Sequence, residues 1–162
     1  MSTKWTLPST ITQYAEDDSH IAWNNDTVFP ISTVKPLLHI ARAPRNDIKM
    51  RTYFFQATGF NFQNVPETIS GISLKLTMNR SGRITDDTIQ LSHNGTLIGE
   101  NYSNLELHPI KVYGDETSIW GVDNVSSLIQ DPSFGITLRF QSHPSWPHNS
   151  TPIILSVEMQ IH

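Results

Sequence analysis

The sequence predicts an all-β protein: a two-sheet antiparallel β-sandwich, jelly-roll-like, preceded by an extended N-terminal arm. Three observations carry that expectation. Between residues 50 and 162, apolar side chains recur at every second position in several short runs, the period of a strand with one buried face. Turn residues punctuate those runs, with Asn94-Gly95 the strongest hairpin signal. No stretch sustains a helical repeat for three turns. The chain accordingly divides into an arm, residues 1–49, and a sandwich domain, residues 50–162.

The arm is polar, with isolated large residues (Trp5, Leu7, Tyr14, Trp23, Phe29) and prolines at 8, 30, 36 and 44. Leu37-Leu38-His39-Ile40-Ala41 is its one compact apolar run, a short candidate strand. Two readings stand side by side: disorder in isolation, or an arm that drapes over a surface and docks its aromatic anchors. Trp5, Tyr14, Trp23 and Phe29 are the candidate partner-docking anchors, because an exposed arm gains little from a lone large aromatic unless it buries it. At about 3.3–3.6 Å per residue, a free arm of about 45 residues spans up to roughly 150 Å.

From Arg51 the elements follow in order. Tyr53-Phe54-Phe55-Gln56-Ala57 is a bulky, β-favouring run. In Gly71-Ile72-Ser73-Leu74-Lys75-Leu76-Thr77-Met78-Asn79, the Ile, Leu and Met positions face one way and Ser73, Lys75 and Thr77 the other. Thr88-Ile89-Gln90-Leu91 continues the pattern into Asn94-Gly95, and Thr96-Leu97-Ile98 is the return. Residues 105–113 form a weaker strand that Pro109 marks as an edge. Trp120, before Gly121, is expected to end a short strand and plug the core. Val125-Ser126-Ser127-Leu128-Ile129 makes one helical turn crossing between sheets, stopped by Asp131-Pro132. Two last strands place Ile136, Leu138 and Phe140, then Leu155, Val157, Met159 and Ile161, inward.

Composition excludes several classes. Of 162 residues 16% are charged, so the surface relies on Ser, Thr, Asn and Gln. A net charge of -4, with 11 scattered basic residues, gives no phosphate-tracking stripe, so nucleic acid is not an expected partner. The absence of cysteine removes disulfides, thiolate zinc sites and a cysteine nucleophile. No window approaches the roughly 18 apolar residues of a membrane helix, and the first residues lack a signal-peptide core, so a protein made in the cytoplasm with no membrane partner is expected.

Four elements stand in order: Ala57-Thr58-Gly59-Phe60-Asn61-Phe62 with Val65-Pro66; Ile69-Ser70-Gly71-Ile72; Ile84-Thr85-Asp86-Asp87-Thr88-Ile89-Gln90-Leu91; and Tyr113-Gly114, Trp120-Gly121 and Asp131-Pro132-Ser133-Phe134-Gly135-Ile136. Together they resemble a β-sandwich module of tailed-bacteriophage virion structural proteins, over about residues 50–162. Asn79-Arg80-Ser81-Gly82-Arg83 departs from it, being shorter than the charged, serine-rich hairpin of that family. The resemblance implies a non-enzymatic structural role in the virion, most simply a capsid cement or decoration protein on the major capsid protein lattice. Other virion subunits would be partners, and a homo-oligomer, a trimer by expectation, its form. The alternative it leaves open is a tail, baseplate or fibre module that binds host glycans.

The search for chemistry ends on few residues. His143 and His148 sit in a proline-bracketed loop without a third ligand and read as solvated. Asp17-Asp18 and Asp86-Asp87 are adjacent pairs whose side chains diverge on a strand, and Asp86 and Asp87 are expected to bond the backbone of the turn after Arg83. Asp123, Asn124 and Asp131 add oxygens for a less favoured loop calcium site. No nucleophile elbow or glycine-rich phosphate loop occurs, so no catalytic residue, metal or cofactor is assigned. For the glycan alternative, Trp146 is the candidate contact.

Overall fold

The structure is a computed structural model that describes residues 1–23, 51–80, 84–142 and 152–162. Its elements are β1 (Thr10–Tyr14), β2 (Phe54–Thr58), β3 (Ile72–Arg80), β4 (Ile84–His93), β5 (Thr96–Leu97), β6 (Ile110–Tyr113), α1 (Val125–Leu128), β7 (Gly135–Ser142) and β8 (Pro152–Ile161). Two antiparallel sheets face each other: a five-stranded one in the order β1-β2-β7-β4-β5 and a three-stranded one in the order β6-β3-β8. The alternating runs supply the filling between them. Ile72, Leu74, Leu76 and Met78 of β3 meet Ile89, Leu91, Ile136, Leu138 and Phe140 from the opposite sheet, all buried in one cluster. Burying a side chain of this size is worth about 1.5–3 kcal/mol.

The hairpin at Asn94-Gly95 forms as its sequence dictates. Both residues have positive φ, 50° and 75°, the backbone of a turn whose twist matches the flanking strands, and His93 pairs with Thr96 across it. Strand β6 lies at a sheet edge, as Pro109 requires. α1 is a single turn that follows β6 in one sheet and precedes β7 in the other, so it makes the expected crossing.

Three local expectations are corrected. Leu155 faces outward and is 39% exposed, while Ile154 is buried. The register of β3 against β8 shifts between Thr77 and Met78, so Leu155 is the extra residue of a bulge and its neighbour takes the inward place. Trp120 does plug the core, at 0% exposure, but from a turn rather than a strand end. Its φ is +56°, its indole donates to the Ile72 carbonyl at 2.9 Å, and Tyr102 stacks on it at 4.1 Å. The adjacent Gly114 (φ +70°) leaves room for that ring, since a Cβ there would stand 2.7 Å from the indole nitrogen.

The third correction concerns the N-terminal residues. Residues 1–23 are built into the sandwich rather than extended from it. Thr6 exchanges both backbone hydrogen bonds with Met159, each 2.9 Å, and β1 pairs along the whole of β2. Thr10-Ile11-Thr12-Gln13-Tyr14 is β-favouring and finds in β2 an edge that needs covering. Ile21 then bridges Thr52 in parallel, and the His20 amide donates to the Arg51 carbonyl at 2.9 Å, so residues 20–21 lie beside residues 51–52. The expected short strand at residues 37–41 lies outside the described residues.

Candidate docking surface

The register of β4 against β7 slips between Asp86 and Thr88, a bulge that shifts the alternation so that Asp86, and not Asp87, takes the inward place. Asp86 turns into the interior. Its Oδ2 accepts from Lys111 Nζ at 2.8 Å, from the Tyr113 hydroxyl at 2.8 Å and from the Asn104 amide at 3.2 Å. The side chains of Lys111 and Asp86 are 3% and 0% exposed, so this is a dry ion pair. Taking two charges out of water costs several kcal/mol each, which only good geometry and extra hydrogen bonds recover. Both are present: Lys111 also donates to the Asn104 side-chain oxygen and to the Glu106 carbonyl at 3.1 Å.

What these bonds hold is a strap, residues 104–112. Asn104 and Glu106 are tied to the lysine from below, and β6 continues the strap as the sheet edge. With Lys111 and Tyr113 inward, the alternation of β6 sends Ile110 and Val112 out. Leu105, Leu107, Ile110 and Val112 are 74%, 45%, 59% and 56% exposed. This inverts the usual arrangement, in which a lysine on the exposed side of an edge strand guards it against association. Here the lysine is inside and the apolar residues are outside.

Asp87 takes the other direction and joins a four-membered ring of charges. Arg51 bridges Asp87 and Asp18 at 3.1 Å each, and Arg139 bridges the same pair at 2.6 and 2.7 Å. The ring ties the N-terminal segment to β4 and β7. The hydrogen bond from Arg139, with the charges of both arginines, holds the Asp18 carboxyl below the usual carboxylate range. Arg139 also lies over the Phe54 ring at 4.1 Å, and Tyr14 stacks on that ring at 4.8 Å. Burial and the nearby Glu16 carboxylate raise the Tyr14 phenol. Asp86 and Asp87, expected to bond the turn after Arg83, each hold ion pairs of their own, and residues 81–83 at that turn lie outside the described residues.

The sequence-predicted anchors scatter. Trp23 is 1% exposed, packs edge-on against Phe55 and Phe140, and donates from its indole to the Tyr53 carbonyl at 2.8 Å, so it anchors its own chain. Tyr14 is half-buried on β1 against Phe54. Trp5 is half-buried under Lys75, whose Nζ sits 4.6 Å from the ring centre. Phe29, Trp146, His143 and His148 lie outside the described residues. Among the described residues, no three His, Asp or Glu side chains are placed together to hold a metal ion. Asp131 instead accepts from the Ser133 amide and hydroxyl, both 2.8 Å, and pairs with His93 at 3.1 Å, which lowers its carboxyl to about 2.

The strap itself was not singled out from the sequence. Its signal was present: Leu-x-Leu followed by Ile-Lys-Val across a proline, an alternation whose inward member is the charged one. Comparisons of the chain with protein-family models, with curated proteins and with solved structures find no match.

Proposed function

We propose that the chain is a non-enzymatic structural component of a tailed-bacteriophage particle, a cement or decoration subunit that seats on the major capsid protein lattice and stabilises the head. The observation that carries the reading is the strap. Four large apolar side chains within eight residues are presented to solvent by a buried ion pair, which is expensive to build and rigid once built. A preorganised apolar strip of this kind loses little entropy on docking and gains from every anchor it buries. Many weak copies on a symmetric shell then act together.

The resemblance over residues 50–162 supports the same reading, and the pairing order supports a jelly-roll connectivity. With residues 3–6 counted beside β8, the smaller sheet becomes four strands facing the β2-β7-β4-β5 group. A trimer is the assembly this role favours, with the virion as its location.

Cosedimentation of purified protein with shells of the major capsid protein tests the reading. The wild-type chain is expected to pellet with shells, and Ile110→Asp/Val112→Asp to stay in the supernatant with its thermal midpoint unchanged. Equal pelleting of both proteins overturns the strap as the docking element.

A further inference from the structure

Trp5 is unlike the two other tryptophans the structure describes. Trp23 and Trp120 are buried, and their indole N–H groups donate to the carbonyls of Tyr53 and Ile72. Trp5 is half-exposed, and its N–H meets no protein acceptor among the described residues. The ring is nonetheless held. Thr6, the next residue, is locked to Met159 by two backbone bonds, and Lys75 lies over the indole while pairing with Glu158 at 3.0 Å.

Beside that ring is a groove of about 450 Å³, lined by Trp5, Leu7, Asn61, Gln63, Asn64 and Glu158 among others. The loop that brings in the amides is fixed from beneath. Phe60 and Phe62 are buried and stack at 5.6 Å, which turns Asn61 and Gln63 outward. Asn61 and Asn64 have φ of +46° and +56°, a backbone that short amide side chains tolerate best among non-glycine residues. Gln63 donates to the Asn61 backbone carbonyl at 3.1 Å and to its side-chain oxygen at 3.4 Å, so the amides are oriented before any ligand arrives.

The geometry points to a carbohydrate site in this groove, taking a pyranose unit of a neutral oligosaccharide. A pyranose presents an apolar C–H face and a rim of hydroxyls that both donate and accept. The indole offers the flat apolar surface and a free donor. The amides of Asn61 and Gln63, bonded to each other, and that of Asn64 beside them offer donors and acceptors, and Glu158 offers an acceptor. A few oriented polar groups around an apolar floor are the make-up of small-ligand sites. The groove lies at the β8 side of the three-stranded sheet and the strap at its β6 side, so a bound sugar leaves the docking surface clear.

A printed array of neutral oligosaccharides, followed by titration of the best binder against the full chain, tests the assignment. Trp5→Ala is expected to weaken binding about tenfold or more, the scale of one lost stacking contact. Gln63→Ala, an exposed change, is expected to weaken it severalfold with an unchanged thermal midpoint. Should Trp5→Ala fail to fold, Trp5→Phe and Gln63→Ala decide. No binding by the wild-type chain, binding unaltered by these variants, or binding lost only in Trp146→Ala overturns the proposal. None of those results bears on shell docking, which Ile110→Asp/Val112→Asp reads separately.

Discussion

Asp86 and Asp87 are neighbours on opposite faces of β4, and a single bulge decides which of them enters the interior. Asp86 meets one lysine in a dry interior, where neither side chain exceeds 3% exposure. Asp87 meets two arginines nearer to solvent and shares them with Asp18, whose side chain is 45% exposed. The inner pair is all-or-nothing: intact, it fixes the strap, and with one partner gone it leaves an uncompensated buried charge. The outer ring is redundant and graded: Asp87 and Arg139 are mostly covered, while the bonds to the half-exposed Asp18 contribute little and are screened by salt. The same residue type therefore builds a rigid presentation device on one face of β4 and an adjustable clasp for the N-terminal segment on the other.

The sharpest way to break this contrast is Lys111→Met. It strands Asp86 and should cost about 3–5 kcal/mol in urea unfolding; a loss below about 1 kcal/mol would place Asp86 in contact with water and end the distinction. Trp23→Ala should cost a similar amount, about 3–5 kcal/mol, in the isolated protein. If Trp23 were an anchor for another subunit, its removal would leave the isolated chain's unfolding curve in place. Asp87→Ala comes next, at about 1–2 kcal/mol, because two charge-assisted bonds are lost at a mostly covered site.

Asp18→Asn should be the mildest of the substitutions, no more than about 1 kcal/mol, and should shrink further in high salt, unlike Lys111→Met. Acid completes the series. Asp18 and Asp131 both have carboxyls lowered in the fold, the second to about 2. Their stabilisation is therefore complete above the unfolded carboxylate range near pH 4 and is lost as pH falls from there toward 2. The urea midpoint should decline over that window, with a shallower slope in Asp131→Asn.

Much of the fold was legible because it is periodic. The alternation of β3 and β7 and the Asn94-Gly95 turn are local signals, and the strands stand where those signals put them. Strand β1 was not legible, since Thr10–Tyr14 carries only Ile11 and Tyr14 as apolar marks and owes its existence to the open edge of β2. Trp23 looked like an outward anchor because its partners Phe55 and Phe140 are distant in sequence. The two bulges explain the remaining differences. One extra residue reverses every side chain beyond it, so Leu155 faces out and Asp86 faces in, which no fixed period can foresee. The candidate docking strap was hidden for a related reason: its logic depends on Lys111 meeting an aspartate 25 positions earlier.

The most direct test of the docking role is the number of copies of the chain in purified particles, measured by quantitative mass spectrometry for wild type and for Ile110→Asp/Val112→Asp. The account predicts a wild-type copy number in proportion to the capsomers of the shell and a variant nearly absent from particles while still soluble and folded in the cell. A variant incorporated at the wild-type level would contradict it.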